Sequence, residues 1–124
     1  MGSRASFKSA GGGDFTFVEN GQTYRTIGGF DNLRVLIKEK GSVKAPEFSH
    51  TENRIYAVVQ KGVLKHLVYY DEKHRQAVSI DLTHSHHGVQ PHKHIYLDHS
   101  DKGIPISAEE QRLVDRVKKE FNLK

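Results

Sequence analysis

Hydrophobic and polar positions change period several times along the chain, and each change marks an element. Asp14–Val18 and Gln22–Ile27 are short β-prone runs separated by Glu19-Asn20-Gly21, a hairpin signature. From Asp31 to Lys40 the apolar residues Leu33, Leu36 and Ile37 recur at helical spacing, with Phe30 extending the stripe backward. Asp31 or Asn32 is placed to cap such a helix and Gly41 to end it. After a Pro46-containing loop, the runs Arg54–Val59, Val63–Tyr70 and Gln76–Leu82 predict an antiparallel meander. In the third, Val78, Ile80 and Leu82 alternate with Ala77, Ser79 and Asp81, the period of a half-buried strand. Lys93–Leu97 is again β-prone. Near the end Ser107 and Glu110 form a capping box ahead of an apolar stripe, Leu113, Val114, Val117 and Phe121, with Lys118 and Lys119 in the last turns. These elements predict an α+β fold: an antiparallel sheet of four to six strands, one N-terminal-side helix and one C-terminal helix.

Length and composition bound the organisation. The chain has 124 residues, enough for one core. Residues 1–13 carry only Phe7 as a bulky apolar side chain and end in three glycines, so they read as a flexible leader or linker. Residues 14–124 are then expected to form a single compact domain. No run reaches transmembrane length, so no membrane partner is expected. The absence of cysteine excludes a disulfide framework, a Cys-ligated zinc site and a thiol nucleophile. A formal net charge of +4 favours polyanionic partners, more so in mild acid, where histidines gain protons.

The candidate chemistry lies in Thr83–Tyr96. Of nine histidines, five (His84, His86, His87, His92 and His94) fall within this segment. On an extended strand His92, His94 and Tyr96 share one face, with Ile95 and Leu97 on the other. Gly88 and Pro91 form a turn that can bring His84 and His86 opposite that face, while His87 and His99 read as bystanders. Two chemistries use clustered imidazoles. One is a zinc or other divalent metal site, although the nearest acids, Asp81 and Asp98, are not at a familiar ligand spacing. The other is metal-independent acid–base catalysis, in which one imidazole takes a proton and another gives one. RNA cleavage needs that arrangement, with cations around the phosphorane; Lys73, Arg75 and Lys93 are the nearest candidates for substrate binding. A cupin glutamate, a histidine-triad motif, paired His-x-Thr motifs, a P-loop and a nucleophile elbow are all missing.

The order Ile80-Asp81-Leu82, His87-Gly88, Pro91-His92-Lys93-His94 and a terminal helix resembles C-terminal toxin domains of bacterial polymorphic and contact-dependent toxins and their phage-head-associated relatives, over Gln76 to Phe121. The resemblance implies the ribonuclease fold of barnase, EndoU, the colicin ribonucleases and RelE (the BECR fold), with N-terminal helices preceding a four-stranded antiparallel sheet. It also implies a metal-independent endoribonuclease with no cofactor, acting on RNA such as transfer RNA and blocked by a cognate immunity protein. Such a toxin is exported by its producer and acts in the target-cell cytoplasm. A non-enzymatic module binding nucleic acid or protein is the remaining alternative.

Overall fold

The computed structural model describes residues 15–83, 92–95 and 104–124. They form one eight-stranded sheet whose spatial order follows the sequence: β1 (Phe15–Glu19), β2 (Gln22–Phe30), β3 (Leu33–Ile37), β4 (Ile55–Gln60), β5 (Val63–Tyr70), β6 (Gln76–Asp81), β7 (His92–Ile95) and β8 (Ile104–Pro105). A single helix among the described residues, α1 (Ala108–Glu120), follows. The α+β class holds. The leader expected over residues 1–13 lies outside the described residues, and none of the described helix is long and apolar enough to cross a membrane.

The turns explain the hairpins. Asn20-Gly21 and Lys61-Gly62 all have positive φ, the conformation a two-residue turn needs to match the strand twist. α1 begins with both halves of the capping box formed: Ser107 Oγ accepts from the Glu110 amide at 3.1 Å, and the Ser107 amide donates to Glu110 Oε1 at 2.7 Å.

The helix expected over Asp31–Lys40 is not formed; Leu33–Ile37 is strand β3. The reason is burial on both sides. Leu33 and Val35 join the core under α1, while Leu36 joins a second core on the other face. A five-residue run that is apolar on both faces except at Arg34 mimics helical spacing without having helical periodicity. With β3 and the short β8 added, the sheet exceeds the four to six strands expected. The helix-first order implied by the toxin-domain resemblance is likewise not found among the described residues.

Converting this segment to a strand also changes the sheet's topology. β3 and β4 run parallel, and every other neighbouring pair is antiparallel. Parallel neighbours need a long crossover, and residues 38–54 supply it as an irregular strap. α1 covers one face through Val114 and Val117, packed on Leu33, Ala57, Leu67 and Ile80. The strap lies on the other, over Tyr24, Leu36, Tyr56, Val68 and Tyr70, with Ala45 against them.

The tyrosines hold the strap. Tyr24 Oη donates to Lys44 O at 2.6 Å, Tyr70 Oη donates to Pro46 O, and Tyr56 Oη accepts from the His50 amide at 3.2 Å. Burial, with Glu19 nearby, pushes the Tyr24 phenol up to about 12. Burial also raises Tyr56 and Tyr70, so these hydroxyls keep their protons. Tyr56 and Tyr70 are 3% and 4% exposed, which removes them as stacking platforms for bases.

Candidate functional site

β6 and β7 give the histidine segment its setting. Their register pairs Asp81 with His92, Ile80 with Lys93, Ser79 with His94 and Val78 with Ile95. Ile80 is buried in the core beneath α1, and Lys93 Nζ reaches that helix, donating to the Glu110 carboxylate at 3.0 and 3.2 Å. Strand alternation therefore assigns the register positions of His92 and His94 to the strap-covered face, with Asp81 and Ser79. His92 and His94 occupy alternate register positions of β7. Tyr96, His84 and His86 lie outside the described residues, as does the Gly88–Pro91 turn.

Reading across the sheet extends the site. On β5, His66 is the partner of Asp81 and Val68 that of Ser79. One row thus runs His66, Asp81, His92 across three adjacent strands, a carboxylate position between two histidine positions. Directly opposed residues have Cβ atoms about 4.5–5.5 Å apart. The parallel row beside it is Val68, Ser79, His94.

Local bonds orient the described members. His66 Nε2 is 3.2 Å from Val43 O in the strap. A carbonyl can only accept, so Nε2 carries the proton, and in the neutral ring Nδ1 is the basic nitrogen. Asp81 Oδ1 accepts from the Thr83 amide at 3.1 Å, which holds the carboxylate at the end of β6 where the histidine segment begins. An imidazole beside a carboxylate is stabilised in its protonated form and fixed in orientation, the pairing used in acid–base sites. No group of three or more potential metal-ligating side chains occurs among the described residues. The donor types in the row, two imidazoles and a carboxylate, are those of divalent-metal chemistry as well.

The three expected cations are dispersed. Lys93 is bound to Glu110 on the α1 face, both side chains mostly buried. Burial raises the Glu110 carboxyl, but the Ser107 amide and the Lys93 ammonium outweigh it, and the net shift is downward. Lys73 and Arg75 sit in the β5–β6 turn, where both of their amides donate to Asp71 Oδ1 at 2.8 and 2.9 Å. These bonds, the Arg75 amide foremost, hold the Asp71 carboxyl below its usual range. That turn is at the opposite end of β6 from Asp81, with Arg75 about 20 Å away at ~3.3 Å per strand residue.

His66 is the member that pattern reading missed; Asp81 enters there only as an acid at no familiar ligand spacing and as part of Ile80-Asp81-Leu82. Counting back from the Asp71–Arg75 turn would set His66 opposite Ile80; the register shift between Tyr69 and Tyr70 brings it to Asp81, and nothing in the sequence announces that shift. Comparison of the chain with protein-family models, with curated proteins and with solved structures found no match.

Proposed function

We propose that the chain is a small metal-independent endoribonuclease domain. His92 and His94 are the principal acid–base pair, and His84, His86 and Tyr96 are the further candidates from the same segment. The observation that carries this reading is the pairing of His92 with Asp81 and of His94 with Ser79 on one sheet face, with His66 beyond Asp81. One imidazole accepts the ribose 2′-hydroxyl proton as O2′ bonds to phosphorus. A second, protonated, donates its proton to the departing 5′-oxygen. The products are a 2′,3′-cyclic phosphate and a 5′-hydroxyl, and the two imidazoles end with exchanged protonation states. Asp81 steadies the imidazolium form of its neighbour. Lys73 and Arg75 serve phosphates away from the scissile one, and the basic net charge favours the polymer generally. Delivery as a toxin, and a cognate immunity protein as partner, rest on the sequence pattern from Gln76 to Phe121 alone.

The test is incubation with single-stranded and transfer RNA in excess EDTA, with product ends analysed. Cyclic-phosphate termini are expected, and His92→Ala or His94→Ala should each lower the rate by about 10²–10⁴-fold. Cleavage that is absent in EDTA and restored by zinc or manganese refutes the metal-independent mechanism in favour of a histidine-liganded metal. RNA bound without cleavage under either condition identifies a binding module.

A further inference from the structure

A second cleft, of about 540 Å³, opens where the strap meets the β1–β2 and β5–β6 turns. Its walls include Phe48, Arg75, Lys44, Gln22, Glu47 and Tyr24. Phe48 is unusual among the large apolar residues described: it is 49% exposed, although its backbone is fixed. The Phe48 amide donates to Glu19 Oε2 at 3.1 Å, and Phe48 forms an isolated antiparallel bridge with Arg75. The ring is therefore presented to solvent from a rigid strap, beside the guanidinium-bearing residue at the start of β6.

The polar groups around it divide by use. The Glu19 carboxylate accepts from the Glu47 and Phe48 amides, at 2.5 and 3.1 Å, and so serves the strap. Glu47 Oε1 accepts from Asn20 Nδ2 at 3.1 Å. Tyr24 is engaged with Lys44 O. What remains for a ligand is a half-exposed aromatic face, the Lys44 ammonium, the amide of Gln22 with the outer acceptor sites of Glu47, and the guanidinium of Arg75, which is 56% exposed and engages Asp71 Oδ2 through Nε alone at 3.5 Å. A flat ring, a monoanion and hydroxyl or amino donors together describe one ribonucleotide unit. The volume lies within the range of small-molecule sites.

We infer that this cleft is a nucleotide subsite for single-stranded RNA, in which a base stacks on Phe48 and its phosphate is held by Arg75 and Lys44. The choice of RNA as polymer rests on the function proposed above; the stacking geometry does not. The cleft lies at the Gln76 end of β6 and the histidine row at the Asp81 end. A strand running along β6 would thus be anchored by one nucleotide while another, a short distance along, meets the histidines. This gives Arg75 a role in substrate binding that its distance from Asp81 excludes at the scissile phosphate.

The experiment measures binding separately from cleavage. A short fluorescein-labelled 2′-O-methyl RNA, which lacks the attacking hydroxyl, is titrated in EDTA and followed by anisotropy. Phe48→Ala is expected to weaken binding by about five- to hundred-fold, and Phe48→Tyr to retain it. Arg75→Gln is expected to reduce the salt dependence by about one phosphate contact. Thermal melts confirm that each variant is folded; the side chain changed in Phe48→Ala makes none of the strap's backbone bonds. Unchanged affinity in Phe48→Ala overturns the subsite, as does equal binding of a duplex of the same sequence or equal competition by inorganic polyphosphate. The two proposals fail distinguishably. Phe48-dependent binding without cleavage of unmodified RNA refutes the catalysis and keeps the cleft. Cleavage with unaltered kinetics in Phe48→Ala and Arg75→Gln refutes the cleft and keeps the catalysis.

Discussion

Removing the Tyr70 hydroxyl tests how the strap is held on the sheet. The Pro46 carbonyl, in a buried residue, accepts from Tyr70 Oη and also from Gln76 Nε2 at 2.9 Å. Tyr70→Phe keeps the ring, which packs edge-on against Tyr56 with centroids 5.1 Å apart, and deletes one donor. Because Gln76 still satisfies the carbonyl, the loss is that of an ordinary net hydrogen bond, about 0.5–1.5 kcal/mol. Gln76→Leu alone should cost a similar amount, since Tyr70 remains. The double variant leaves the carbonyl buried without either donor and adds a desolvation penalty of about 1–3 kcal/mol. The pair should therefore be worse than the sum of the singles, a coupling that a double-mutant cycle reads directly. Urea unfolding followed by far-UV circular dichroism is the assay, as the chain has no tryptophan. Strict additivity, or a Tyr70→Phe variant as stable as the parent, would refute the claim that this carbonyl anchors the strap.

Other positions give sharper single results. A Cβ at Gly29 would lie 2.1 Å from Leu33 O, with Arg34 Cδ at 2.9 Å. Gly29→Ala must therefore shift backbone between β2 and β3, and a loss of about 2 kcal/mol or more is expected in the same unfolding assay. Val117→Ala, at a fully buried position on α1, should cost about 2 kcal/mol through lost burial and a residual cavity. Glu110 has its carboxyl depressed in the folded state. Its ionised form therefore stabilises the fold above the unfolded-state value near 4.3, and this contribution is lost as pH falls through the lower folded value. The stability gap between the parent and Glu110→Gln should accordingly be full at neutral pH and shrink below about pH 4; a gap that widens in acid would contradict the assignment.

Much of this fold was legible because local chemistry and tertiary structure agree. The capping box at Ser107 and Glu110, the Asn-Gly turn and the three runs of the meander each specify their element within a few residues. What could not be read is what depends on two-sided burial and on pairing. Leu33, Val35, Leu36 and Ile37 are apolar because α1 covers one side and the strap the other, and their helical spacing follows from that accident. The packing of Tyr24, Tyr56 and Tyr70 is set by a loop with no secondary structure of its own, whose position over the sheet no strand pattern specifies. His66 carries no motif, lies 15 residues before Asp81 in sequence, and becomes its neighbour only when β5 pairs with β6. Lys93 lies between His92 and His94 in sequence. Closeness on a strand is misleading, because adjacent residues face opposite sides.

That alternation makes Lys93 the test of how stability and chemistry connect. A slip of β7 by one residue would move His92 and His94 to the α1 side and carry Lys93 away from Glu110, exchanging every side chain between faces. β7 is short and its pairing with β8 is shorter, so few backbone bonds oppose a slip. The Lys93–Glu110 ion pair, 3.0 Å long with side chains 18% and 17% exposed, is a contact that only the native register permits. Lys93 then acts on the site as a positioning residue, through register. Glu110→Gln keeps the Lys93 charge and removes its partner, whereas Lys93→Ala removes the charge itself. If register is what matters, both variants should lower RNA cleavage to a similar extent, Lys93→Arg should restore much of it, and RNA affinity should change little. If Lys93→Ala abolishes binding while Glu110→Gln leaves cleavage intact, Lys93 contacts the substrate directly, and the face assigned to the histidines must be reconsidered.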